Sequence, residues 1–126
     1  MHELSVCQAM IAQVADAARE RGMARVTGIE VGIGPLSGVE ADLLEDAFPF
    51  AAAGTLADGA ELRTHRIGVR VHCNTCERES DATANRLICG QCGDWRTTLV
   101  NGDELILERI EMSRETELDT GEVVSV

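Results

Sequence analysis

The chain has 126 residues, and its 22 acidic side chains outnumber 11 basic ones to give a formal net charge of -11. Every basic residue is arginine, and the aromatic set is Phe48, Phe50 and Trp95. Nucleic-acid binding needs a cationic face, and single-strand binding needs stacking aromatics, so both are excluded as the main role. An anionic membrane surface would repel the chain.

An apolar fraction of 44% in a chain of this length suits one compact unit that buries roughly two-thirds of its unfolded surface. No apolar run nears the ~20 residues of a membrane-spanning helix. The start, MHELSVCQAM, lacks a basic, signal-like segment, and the reading is cytoplasmic.

Taken in order, residues 4–21 predict an amphipathic helix, with Leu4, Cys7, Ile11, Val14 and Ala18 on one face. Ser5 and Gln8 fit a capping box, and Gly22 suits the stop. Residues 25–34 predict a strand, since Ile29, Val31 and Ile33 alternate with Gly28, Glu30 and Gly32. A second capping box, Ser37 and Glu40, opens a helix through Leu43, Leu44, Ala47, Phe48 and Ala51, with Gly54 as its stop. Pro49 should kink or end that helix near Phe48.

From Ala60 to His72 the pattern is extended, but Leu62 and Thr64 have the opposite parity to Ile67, Val69 and Val71. A bulge or bend near His65 and Arg66 would reconcile them. Residues 103–112 give a last strand, with Ile106, Ile110 and Met112 on one face. The layout is α+β: two helices packed on a small mixed sheet, with an inserted zinc-ribbon-like module. The domain reading is 1–71 plus 101–113 for the α+β part, 72–100 for the ribbon, and 114–126 as a solvated, mobile acidic tail.

The ribbon rests on Cys73, Cys76, Cys89 and Cys92, spaced C-x2-C-x12-C-x2-C. Each two-residue gap lets a tight turn aim both sulfurs at one ion, and the spacer brings the second pair round to complete a tetrahedron. Four thiolates fill every position around Zn²⁺, so the site is structural and offers no place for a catalytic water. Gly90 and Gly93 favour the second turn; in the first, Asn74 is the residue suited to an unusual backbone conformation. Leu87, Ile88, Trp95, Leu99 and Val100 are the apolar residues available to pack the module. Cys7 lies on the apolar stripe and reads as core.

Met1-His2-Glu3 can be read in two ways. The terminal amine, the His2 and Glu3 backbone nitrogens and the His2 imidazole can enclose one ion in adjoining chelate rings. Such a nitrogen set suits Ni²⁺ or Cu²⁺. The other reading is an incidental frayed end.

MHELSVCQAM, VGIGPLSGVE, GTLADGAEL, the paired CxxC motifs and GDELILERIE together resemble, to about Met112, the HypA/HybF family of hydrogenase maturation factors. The resemblance implies a nickel metallochaperone serving [NiFe]-hydrogenase, with nickel as labile cargo at Met1, His2 and Glu3 and zinc at Cys73, Cys76, Cys89 and Cys92. It also implies, as partners, a nickel-handling maturation GTPase of the HypB type and the hydrogenase large subunit, with the chain a monomer or homodimer. Family members commonly carry glycine just after the first CxxC, where this chain has Glu77; Pro49 and His72 are also unusual.

Glu40 reads either as a capping glutamate or as a carboxylate near the amino terminus, the cap being the plainer reading. His72 reads either as a nearby ligand or replacement for a thiolate or, the plainer reading, as a partly exposed strand-end residue, and His65 as a surface or bulge residue. Gly32-Ile33-Gly34 lacks the Lys-Ser/Thr of a phosphate loop. No catalytic set can be assembled, so the chain is not read as an enzyme. The competing reading is a zinc-ribbon adaptor for protein binding with no nickel role. Six arginines in residues 63–96 are expected to offset the charge of the zinc–thiolate group.

Overall fold

Helix α1 spans His2–Glu20 and buries Cys7, Met10, Ile11, Val14 and Ala18 on one face. It begins earlier than the spacing suggests, so Ser5 sits inside it and the Ser5–Gln8 capping box does not form. Gly22 takes a left-handed φ of 67°, and the Met23 amide donates to the Ala18 carbonyl at 2.9 Å, which closes the helix as the sequence indicates. The structure, a computed structural model, describes residues 2–114 and 122–125, which divide into two compact units.

The first unit comprises residues 1–32, 40–65 and 106–126. Its sheet has the order β2-β1-β6-β7, built from β1 (Arg25–Ile33), β2 (Glu61–Arg66), β6 (Leu105–Ser113) and β7 (Glu122–Ser125). Helix α2 (Ala41–Ala52) buries Leu44, Phe48 and Ala52. It packs against α1, where the Cys7 thiol donates to the Leu44 carbonyl at 3.5 Å. Val26, Ile29, Val31, Ile110 and Met112 are fully or almost fully buried and complete this core.

Four local expectations need correction here. The Ser37–Glu40 box does not form: Glu40 is the N-cap residue but makes no side-chain cap bond, and Ser37 Oγ instead accepts the Val39 amide at 3.2 Å. Pro49 lies within α2 without ending it; its carbonyl still accepts the Ala53 amide at 3.1 Å, and only the donor it lacks is lost. Ile106 is 38% exposed while Ile110 and Met112 are buried, so the face these three share by strand alternation is covered only toward its C-terminal end and not along its whole length. Residues 114–126 are not all without structure, because β7 pairs antiparallel with β6, Ile110 opposite Val124. The rest of that acidic segment, 115–121 and Val126, lies outside the described residues.

On the outward side of this sheet, Arg63 bridges Glu111 at 2.8 Å, Glu61 at 3.0 Å and Glu30 at 3.9 Å. Gly28 makes room for the group, since a Cβ there would run into the Glu111 carboxylate. His65 pairs with Glu108, consistent with its surface reading.

The second unit comprises residues 33–39 and 66–105, so the expected ribbon of 72–100 lies inside a larger body. Its sheet has the order β4-β3-β5, from β3 (Val69–Cys73), β4 (Glu79–Ala82) and β5 (Thr97–Asn101). Val71 faces Ser80 on one side and Leu99 on the other. Of the two expected causes of the parity shift, a bulge or a bend, the chain takes the second: β2 ends at Arg66 and β3 belongs to a different sheet, separated from it by Ile67 and Gly68. The Ile67 amide donates to the Ile33 carbonyl at 3.0 Å, Gly34 to Glu104 at 2.9 Å and Leu36 to Gly102 at 2.8 Å. Among the described residues, no helix is long and apolar enough to cross a membrane.

Candidate metal centre

Strand β3 alternates, burying Val69, Val71 and Cys73, so the first cysteine enters the site on the inward side of a strand. The next residues turn sharply. Amides of Thr75 and Cys76 both donate to Cys73 Sγ at 3.4 Å, and the Glu77 amide donates to the Cys73 carbonyl at 2.9 Å. The second knuckle repeats this pattern. Amides of Gln91 and Cys92 donate to Cys89 Sγ at 3.3 and 3.4 Å, and Gly93 donates to the Cys89 carbonyl at 2.9 Å.

Equivalent positions must then adopt the same left-handed backbone. Gly93 does so at φ 76°, and Glu77 at φ 60°. Asn74 does not take the role the sequence suggested for it. A left-handed conformation costs a residue with a Cβ roughly 1–2 kcal/mol, so Glu77 carries strain that Gly93 escapes. Gly90 serves another purpose than its expected turn: a Cβ there would press on Ser80 at 3.3 Å, and its amide donates to Ser80 Oγ at 2.8 Å.

The two knuckles bring all four sulfurs within 4.8 Å of one another. Cys73 and Cys92 are 3.6 Å apart, as are Cys76 and Cys89. A disulfide would require about 2.05 Å, whereas a tetrahedron with 2.3 Å metal–sulfur bonds has an edge of about 3.8 Å. The donor set is therefore shaped for one ion held by four thiolates.

Local fields already favour charge on one sulfur of each knuckle. Donation from the Cys92 amide, joined by Gln91 and opposed by burial, lowers the Cys89 thiol to about 6. The Cys76 amide, with that of Thr75, lowers Cys73. Burial and contact with Cys89 raise Cys76. At Cys92 the Asp94 amide works downward but is outweighed by Cys73, burial and the other two thiols, and the group is pushed up to about 12. A bound cation would overcome that ordering and take all four as thiolates.

Three side chains near the cluster were not singled out by sequence. Asp94 accepts the Thr75 hydroxyl at 2.6 Å and three donors of Arg96 at 3.0 to 3.1 Å. The Thr75 hydroxyl and then Arg96 hold its carboxyl well below the usual range. Arg96 also feels the charge of Cys73 and Cys92. Of the arginines expected to offset the metal–thiolate charge, Arg63 and Arg70 are instead paired with carboxylates, the latter with Asp81 at 2.8 Å. The signal available was an Asp two residues beyond a CxxC whose partner CxxC contains threonine. Trp95, expected to pack the module, is 74% exposed.

His72 is half-buried on β3, opposite Glu79 and Thr98, and is not one of the clustered ligands. Cys7 is fully buried, in keeping with its core reading. His2 is exposed as the first residue of α1, and Met1 lies outside the described residues. Glu3 Oε2 accepts the Glu40 amide at 3.3 Å, so the carboxylate serving the start of α2 comes from α1. An acidic group there also complements the helix dipole.

The family profile described as hydrogenase/urease nickel incorporation, metallochaperone, hypA, matches residues 1–112. A hydrogenase maturation factor HypA of Nitrosospira multiformis is 46% identical over 112 residues, covering 89% of this chain and 97% of that protein. One of Chlorobaculum tepidum is 40% identical over 105 residues, covering 83% and 93%. The solution structure of the nickel metallochaperone HypA from Helicobacter pylori superposes with a TM-score of 0.73 at 25% identity, covering 90% of this chain and 98% of that one. With four sulfurs gathered at metal-binding distances and a profile match over nearly its whole length, the chain belongs to the HypA family of nickel-incorporation metallochaperones.

Proposed function

We propose that the chain captures nickel at Met1, His2 and Glu3 and hands it on during [NiFe]-hydrogenase maturation, while Cys73, Cys76, Cys89 and Cys92 hold a structural zinc. The observation that carries this reading is the closed character of the four-sulfur cluster. With every position taken by a thiolate, that site suits a resident ion and leaves no opening for cargo. Among the described residues it is also the one group of three or more metal-type side chains.

The start of α1 has what a transit site needs. The first amides of any helix lack intrahelical acceptors, which leaves the backbone nitrogens of His2 and Glu3 without a partner inside the helix. The His2 side chain is exposed. Nitrogen ligands in this arrangement suit Ni²⁺, and a chain end exchanges them more readily than a folded cage would. Protons compete with the metal for an imidazole, so nickel held this way weakens as the solution is acidified. A nickel-handling GTPase of the HypB type and the hydrogenase large subunit are the proposed donor and acceptor partners, in the cytoplasm.

Nickel titration into tag-free, zinc-loaded protein tests the assignment. His2→Ala and a variant extended by residues ahead of Met1 should each lose tight nickel binding while retaining one zinc. Parental nickel affinity in either variant refutes the ligand set and favours a zinc-ribbon adaptor.

A further inference from the structure

Four cysteines can hold an ion only while the two knuckles stay in register, and the β-sheet of the second unit holds one knuckle more directly than the other. Cys73 ends β3, whereas Cys89 and Cys92 lie in the irregular chain between β4 and β5. Segment 94–96 crosses between them. The Asp94 carbonyl accepts the Cys89 amide and the Arg96 carbonyl accepts the Asn74 amide, each at 2.9 Å. Above these main-chain ties, the Asp94 carboxylate takes the Thr75 hydroxyl on one oxygen at 2.6 Å. Its other oxygen takes the Arg96 amide and Nε, at 3.0 and 3.1 Å. Thr75 in turn donates its amide to Cys73 Sγ.

We propose that Asp94, acting through Thr75 and Arg96, is a positioning residue that locks the two knuckles together and sets how fast the four-cysteine site releases zinc. The proposal rests on the zinc reading given above. Cys92 is the exposed member of the four, so a chelator would reach its position first: the thiolate would leave the ion with its electron pair and the chelator's donor atom would take its place. The second sulfur can leave only if the knuckles part. Asp94 sits two residues beyond Cys92 and opposes that parting, because its Oδ2 holds the Thr75 hydroxyl of the first knuckle while Arg96, on the same segment as Asp94, fixes both carboxylate oxygens in place. It also fixes the Arg96 guanidinium where it counters the charge of Cys73 and Cys92.

The test measures zinc transfer from the zinc-loaded full chain to excess 4-(2-pyridylazo)resorcinol. Asp94→Ala and Thr75→Val should each release zinc about ten- to a hundredfold faster, the range for losing a group that orients a metal ligand. Thr75→Ser, which keeps the hydroxyl, should release at the parental rate. The double variant should be no faster than the faster single, because both remove one shared bond. Cobalt loading of each variant should still give the absorption of a tetrahedral four-thiolate site, which separates faster release from a site that never forms. Parental release rates in Asp94→Ala and Thr75→Val, or equal acceleration in Thr75→Ser and Thr75→Val, overturn the proposal. Should Asp94→Ala fail to fold, the Thr75 pair decides the matter alone. A parent chain that binds no zinc and gives no four-thiolate cobalt spectrum would overturn the zinc reading itself.

Discussion

Leu43 and Leu44 are neighbours on α2 with opposite fates, and together they calibrate what seats the two helices. Leu44 is fully buried, while Leu43 is 47% exposed. Truncating Leu44 to alanine removes three buried carbons, worth about 2.4 kcal/mol in lost transfer energy at ~0.8 each. The unfilled space raises the total to about 3–4 kcal/mol. At this chain length each kcal/mol moves the melting point by about 4 °C, so Leu44→Ala should melt roughly 12–16 °C below the parent. Leu43→Ala should shift by under ~0.5 kcal/mol. The backbone carbonyl that receives the Cys7 thiol remains in both variants, so the contrast isolates side-chain packing. Helix signal at 222 nm against temperature, with zinc content measured in parallel, provides the assay. Zinc should stay at one per chain in both, because neither leucine belongs to the unit that holds the cysteines. Equal destabilisation by the two substitutions would refute the assignment of the α2 packing face.

Glu77→Gly should raise the urea midpoint of the zinc-loaded protein by the equivalent of about 1 kcal/mol, since glycine accepts φ 60° without strain; a lowered midpoint contradicts the strained turn. Gly28→Ala should cost about 1–3 kcal/mol in thermal unfolding, and adding Glu111→Ala should recover part of the loss by clearing the obstructing carboxylate. Burial, and then Glu3, raise the Cys7 thiol above its ordinary value of 9.0. The folded state therefore holds this proton more tightly than the unfolded state. Its contribution is complete below pH 9 and is lost as pH rises beyond it. Denaturant titrations from pH 8 to 11 should show a steeper alkaline decline for the parent than for Cys7→Ala, and parallel curves would refute the shift.

The cysteine spacing already specified a four-sulfur cluster, because thiolate geometry acts over short, fixed separations that the chain must satisfy locally. Helix and strand positions were legible for the same reason: Leu44 with Phe48, or Ile29 with Val31, repeat at the period of the element that buries them. What stayed hidden depends on partners distant in sequence. The amide at the start of α2 is served by Glu3, 37 residues upstream, so a local capping box was the natural but mistaken expectation. The parity change after Thr64 was visible, yet only the tertiary structure shows that β2 and β3 pair in different sheets. Strands β4 and β5 are short and half-polar, ESDA and TTLVN, and are defined by pairing with β3 rather than by their own hydrophobic pattern. The Thr75–Asp94 bond spans 19 residues and joins side chains that are individually ordinary.

Backbone bonds from Ile67 to Ile33, from Gly34 to Glu104 and from Leu36 to Gly102 gather both ends of the 66–105 excursion onto one short segment. The excursion is thus closed at its base, and chain enters and leaves it through the same doorway. That gives it the anatomy of a cassette. Lifted into another host, it should keep its shape only if residues 33–39 travel with it as the clasp, and a transplant cut at the CxxC pairs alone would leave those donors and acceptors unmatched.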